Sequence, residues 1–137
     1  GKEVRAHFYG RGHTNGDAMI YFPLLKVLHT GDMMAGASPL IDYSGGGSAV
    51  EWTKTLDAAM QALDFDTVIP GHGPITNKAG LQTYRDNIVT MRDRVTKEIR
   101  AGKAQTDIAM FMEHEYKWAP GSLQQLWSVP GFMTELK

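Results

Sequence analysis

From Gly10 to Asp32 the sequence reads GRGHTNGDAMIYFPLLKVLHTGD. A Gly-flanked His13-Thr14 opens this stretch, His29-Thr30-Gly31-Asp32 closes it, and an apolar segment lies between. Asn15-Gly16 supplies a turn dipeptide that tolerates positive φ. Ala18 to Phe22 reads as a short strand buried on both faces. Pro23 cannot donate to a ladder and marks the turn, after which Lys26 to Leu28 returns as a second strand. Upstream, Lys2 to Tyr9 alternates, with Val4, Ala6 and Phe8 on one side and Glu3, Arg5, His7 and Tyr9 on the other, the pattern of a half-buried strand. The stretch therefore sits in a meander of three short strands.

Downstream, Met33 to Gly47 is a loop by composition, and at roughly 15 residues it exceeds most connections in compact domains. It reads either as a functional loop or lid, or as a surface loop without a role. Ser48 and Glu51 have capping-box spacing. The helix they open places Trp52, Leu56, Ala59, Met60 and Leu63 on one stripe. Thr67-Val68-Ile69 forms a brief strand, closed by Pro70-Gly71-His72-Gly73-Pro74, five residues that resist regular structure. A second helix is predicted from about Asn77 to Ala101, with Leu81, Tyr84, Ile88, Met91, Val95 and Ile99 at three- and four-residue steps and Gly102 as its stop. Thr106 or Asp107 caps a short helix through Met112. Pro120 to Lys137 is apolar enough to pack as a short helix and a docked terminal segment. Neither a repeat nor a linker is visible, so residues 1–137 read as a single domain.

Composition narrows the function. With 42% hydrophobic and 21% charged residues the chain is of globular type. A net charge of -1 gives no pull toward nucleic acid or acidic membranes. No run approaches the roughly 18 apolar residues of a membrane span. The absence of cysteine removes disulfides and thiolate metal sites, so a zinc site here needs His and carboxylate ligands. The compartment is left open.

Of five histidines, His7 lies in an alternating strand and His114 between two glutamates, both suited to structural or solvated roles. His13, His29 and His72 instead adjoin Gly or Thr at strand-loop junctions, where ligand-bearing loops commonly sit. Imidazole plus carboxylate without sulfur suits Zn, Fe or Mn.

Gly12-His13-Thr14-Asn15-Gly16-Asp17, then Val27-Leu28-His29-Thr30-Gly31-Asp32, then Val68-Ile69-Pro70-Gly71-His72-Gly73 together resemble the later motifs of metallo-β-lactamase-fold hydrolases. The resemblance runs from Glu3 to about Ala101. It implies an α/β fold, half of an αββα sandwich, with a short meander, a further strand and two to four helices. It also implies His13 on one metal, His72 on a second and Asp32 bridging them, zinc being the expected ion and iron or manganese alternatives. His29 is not a ligand position in that family and is assigned a structural role. The family's His-x-His-x-Asp-His motif has no counterpart, because no two histidines here are separated by one residue.

Two functional readings follow. In the first, the chain is a fragment or truncated form of a metal-dependent hydrolase, in which a metal-activated hydroxide attacks an ester, thioester, lactam or lactone. The isolated chain is then expected to be inactive and metal-free or weakly binding, and to need a missing N-terminal half before it takes a small-molecule substrate. In the second, a free-standing half-fold serves as a non-catalytic binding module that homodimerises through its open sheet face.

Overall fold

One mixed sheet organises the computed structural model, which describes Gly1–Lys137. Its strands are Arg5–His7 (β1), Met19–Phe22 (β2), Val27–Ala35 (β3), Thr67–His72 (β4) and Thr76–Asn77 (β5), in that spatial order. β1, β2 and β3 form the expected antiparallel meander. β4 then joins β3 in parallel, and β5 folds back antiparallel on β4. The helix Ala49–Ala62 (α1) makes the crossover between the parallel strands, as a parallel pair requires.

The strands differ from the sequence expectation in three places. β1 is only three residues long and mostly exposed, because an edge strand here pairs with β2 alone. β2 is not buried on both faces: Met19 and Tyr21 are buried, while Ile20 and Phe22 are half-buried. β4 continues through Pro70, Gly71 and His72, where irregular backbone was expected. Pro70 is accommodated because its partner is Gly31, at a shift in the β3–β4 register; a bulge is where a strand tolerates the missing N–H.

Register explains the layers. Tyr21, Leu28 and Val68 lie in line across the sheet and are buried in one core with Trp52, Leu56, Leu81 and Ile88 of the helices. α1 packs against the long helix Lys78–Arg100 (α2), which also meets β4 and β5. Ser48 accepts from the Glu51 amide at 3.0 Å, so half of the expected capping box is present; the Glu51 carboxylate takes Lys54 instead. Asn77 caps α2 through the Gly80 amide. Arg85 grips Asp57 in a fork, at 2.8 and 2.7 Å, and fastens the two helices. The opposite sheet face carries Ala6, Ile20, His29 and Ile69 in register, none of them fully buried. Val4 and Phe8, which flank β1, are 53% and 57% exposed.

The C-terminal third forms a second helical layer: Gln105–Tyr116 (α3), a π-helical turn at Gln124–Ser128, and Val129–Glu135 (α4). α3 starts earlier and ends later than expected; the Asp107 carboxylate accepts from the Ala104 amide at its start. Trp118 stacks on Phe132. Buried Ser128 accepts from the Ile41 amide and donates to the Ile41 carbonyl. The Glu135 carboxylate accepts from the Ser48 hydroxyl, from the Tyr43 hydroxyl at 2.7 Å and from the Ala49 amide at 3.0 Å. The chain end is thereby tied both to the long loop and to the N-terminus of α1, where a carboxylate suits the helix dipole.

Burial raises the pKa of the hydroxyls of Tyr43 and Tyr84, and the Glu135 carboxylate pushes Tyr43 further the same way. A group whose folded-state pKa is raised contributes fully below its unfolded value and loses that contribution as the pH climbs. Stability is therefore expected to hold up to about pH 10, the ordinary tyrosine value, and to fall above it. Chemical denaturation at pH 8 and pH 11 checks this; the drop should shrink in Tyr43→Phe.

Candidate metal centre

The segment between β1 and β2 and the C-terminal halves of the interior strands β3 and β4 bring His13, Asp32 and His72 together. His13 Nε2 lies 3.6 Å from Asp32 Oδ2, and His72 Nε2 lies 3.4 Å from Asp32 Oδ1. The two imidazoles thus approach opposite oxygens of one carboxylate. Both distances exceed the roughly 2.7–2.9 Å of a charge-assisted hydrogen bond. They are close to the roughly 3.3 Å that separates two ligands of a tetrahedral ion when each bond is about 2.0–2.1 Å.

The local fold fixes each group. His13 Nδ1 lies 2.6 Å from the Leu40 carbonyl. A carbonyl only accepts, so Nδ1 carries a proton, and in the neutral ring the lone pair on Nε2 faces Asp32. A lone pair aimed at a carboxylate oxygen is repulsive unless a proton or a cation lies between them. The His13 segment is itself clamped: the Asp42 amide donates to the His13 carbonyl, the Ser48 amide to the Gly12 carbonyl and the Asn15 amide to the Gly45 carbonyl, each at 2.9 Å. Gly47 makes this close approach possible, since a Cβ there would lie 2.8 Å from the Asp42 carbonyl oxygen and 2.9 Å from that of Gly12. Of the long loop, Met33 to Ala35 belong to β3, and the remainder is held by these bonds and by Ser128 rather than hanging free.

At the other end, Gly71 brings β4 against β3 beside the carboxylate. A Cβ on Gly71 would strike Asp32 Oδ1 and would lie 2.7 Å from the Gly31 carbonyl carbon. The same packing leaves His72 close to Asp32. Trp52 supports the floor: fully buried, it donates to the Met33 carbonyl at 3.1 Å and lies between the rings of His13 and Tyr84. Tyr84 in turn accepts from the Ala35 amide.

His29 behaves as a structural residue. Its Nδ1 accepts from the Gly31 amide at 3.0 Å, holding the bend that precedes Asp32. His7 stacks on Tyr9, and His114 is exposed. Neither joins the cluster. The sequence marked Trp52 as a core residue and Met33 to Gly47 as a possible functional loop, but it did not disclose that Trp52, Leu40 and this loop support His13.

The cluster is incomplete as a cage. No group of three or more His, Cys, Asp or Glu side chains is placed to hold a metal ion, and each half of the Asp32 carboxylate faces one imidazole. The side chain of His72 is 74% exposed and that of Asp32 41%, so the site opens on the surface.

Comparison with known proteins supplies the context. Among solved structures, DIM-1 metallo-beta-lactamase superposes with a TM-score of 0.56 at 26% identity, over 64% of this chain and 41% of that one. A metallo-beta-lactamase from Pontibacter korlensis gives 0.57 at 21% identity, over 64% and 42%. TMB-1 gives 0.55 at 21%, over 64% and 41%. The chain thus spans about two fifths of the length of these structures, and its sheet with helices on one face is part of their fold. The sequence model of the metallo-beta-lactamase superfamily matches residues 1–72, the segment that carries all three site residues. This chain, which unites that segment with the corresponding sheet, belongs to the metallo-beta-lactamase superfamily.

Proposed function

We propose that His13, Asp32 and His72 are the metal ligands of one half of a two-metal hydrolase site, with Asp32 shared between the ions. The observation that supports this most directly is the placement of two imidazole nitrogens against opposite oxygens of Asp32, at 3.6 and 3.4 Å. The Leu40 carbonyl sets the His13 tautomer that leaves Nε2 free for a cation, an orienting contact common at metal-bound histidines. Zinc suits the donor set, and iron or manganese also fit imidazole and carboxylate. Such ions supply Lewis-acid activation of water and of a carbonyl or related oxygen. The substrate class is an ester, thioester, lactam or lactone.

Each ion would draw two ligands from these residues, whereas a catalytic zinc usually has three and a water. The remaining ligands then come from polypeptide other than the three residues, laid over the open site. On its own the 137-residue chain is expected to bind zinc weakly and to show little hydrolysis. Asp32→Ala removes the shared ligand and is expected to weaken zinc binding at least tenfold, a loss of about 1.4 kcal/mol or more. Zinc calorimetry and cobalt(II) absorption read the change. Binding that is identical in wild type and Asp32→Ala would defeat the assignment.

A second reading is favoured by the sheet face that carries Ala6, Ile20 and Ile69 and by exposed Val4 and Phe8 beside it. A second copy laid against that face would bury apolar surface that is otherwise open to water. Light scattering after size exclusion tests it: a dilute monomer that stays fully folded rules out the homodimer.

A further inference from the structure

Leu40, Ile41 and Asp42 form a bracket around His13. The Leu40 carbonyl takes the Nδ1 proton of the ring at 2.6 Å, and the Asp42 amide donates to the His13 backbone carbonyl at 2.9 Å. Ile41, between them, is held by a single side chain of the tail. The Ser128 hydroxyl accepts from the Ile41 amide at 3.0 Å and donates to the Ile41 carbonyl at 3.2 Å. A hydroxyl carries one donor and two acceptor positions, so one serine satisfies both backbone groups at once. Ser128 and Ile41 are completely buried, and water cannot take over either bond.

The tail is shaped to deliver this hydroxyl. Ser128 ends the π-helical turn Gln124–Ser128, a form of backbone that is rare and recurs at functional sites. Gly131, inside α4, lets the Tyr43 ring lie directly on the helix backbone, because a Cβ there would strike the ring. Glycine is otherwise the poorest ordinary residue for a helix interior. The Tyr43 hydroxyl is held in turn by Glu135 at 2.7 Å. The tail thus grips the loop on both sides of Asp42, through Ile41 and through Tyr43. All of its contacting residues lie beyond residues 1–72, the part that the superfamily model matches.

We propose that Ser128 is a positioning residue for His13. By clamping Ile41 it holds the Leu40 carbonyl against Nδ1, which keeps a proton on that nitrogen and Nε2 aimed at Asp32. Ser128 acts only through Ile41 and Leu40 and is not itself a ligand. The inference rests on the metal reading for what Nε2 then binds; the placing of the ring stands without it.

The test uses the full chain, freed of metal with a chelator and labelled with nitrogen-15 in its histidines. NMR then follows exchange of the His13 Nδ1–H with water. Wild type should show a resolved, slowly exchanging Nδ1–H. Ser128→Ala removes both bonds to Ile41 and should speed that exchange about tenfold. Ser128→Cys keeps nearly the same size but has a weaker donor and acceptor, so an intermediate rate is expected; it carries the test if the alanine variant does not fold. Ile108→Val opens a small void in α3, at a fully buried position outside this chain of hydrogen bonds, and should leave the exchange unchanged. Exchange that matches wild type in both Ser128 variants would overturn the proposal. So would equal acceleration in Ile108→Val, which would reveal general loosening. Zinc calorimetry separates the two ideas. If wild type and Asp32→Ala bind zinc alike, the metal assignment falls, and the Nδ1–H exchange still decides the clamp. If zinc binding depends on Asp32 while exchange is indifferent to Ser128, the clamp falls and the metal site stands.

Discussion

Trp52→Ala is expected to lower stability by about 3–5 kcal/mol, a large part of the roughly 5–15 kcal/mol that holds a typical domain folded. Trp52 is fully buried, so the change opens a large cavity between α1 and the sheet. It also leaves the Met33 carbonyl without the indole donor it has at 3.1 Å. A buried acceptor stripped of its partner adds about 1–3 kcal/mol to the transfer cost. Trp52→Phe keeps most of the volume and loses only the donor, so about 1–2 kcal/mol is expected. Urea denaturation followed by circular dichroism reads both values. Because the ring also neighbours His13, the alanine variant should loosen the His13 end of the cluster in whatever fraction stays folded. Equal stability of Trp52→Ala and wild type would mean that the core is not closed around this residue.

Glu135→Ala is the second large effect, expected at about 2–4 kcal/mol because three hydrogen bonds to a charged acceptor are lost together. They leave the Ser48 hydroxyl, the Tyr43 hydroxyl and the Ala49 amide without their acceptor, and Ser48 is completely buried. Glu135→Gln retains the shape and one accepting oxygen, and an intermediate loss is expected. A cycle with Ser48→Ala should be clearly non-additive, since the two share one network. Differential scanning calorimetry of the four proteins measures the coupling. Additivity within about 0.5 kcal/mol would show that the tail is not fastened there.

These two residues also mark what the sequence could and could not disclose. Trp52 was legible because a helical stripe of Trp52, Leu56, Ala59 and Leu63 has one apolar side, and only a core can use it. The strand ends bearing His13, Asp32 and His72 were legible as glycine-rich interruptions after apolar runs. Glu135 gave no signal, since a carboxylate near the end of an amphipathic segment ordinarily faces water; its partners lie 86 to 92 residues away. Pro70 misled for a physical reason: proline normally ends a strand, and only the bulge opposite Gly31 spares it. β1 was overextended because alternation persists through Glu3 and Tyr9 where no neighbouring strand follows it. The parallel pairing of β3 with β4 was likewise hidden, as register between distant strands depends on how α1 packs and leaves no local trace.

That parallel ladder has a kinetic meaning. His29 pairs with Ile69, forty positions further along the chain, and such non-local pairings form slowly because the loop must close before the contacts return anything. His13 and Asp32 sit in the meander, whose strands are near neighbours in sequence, but His72 arrives only with β4. During refolding, then, the two histidines flanking Asp32 should be installed at different times: one with the early hairpins, the other in the last slow phase. Stopped-flow mixing with cobalt(II) would register the site as a late event, lagging the burial of Trp52 seen by fluorescence.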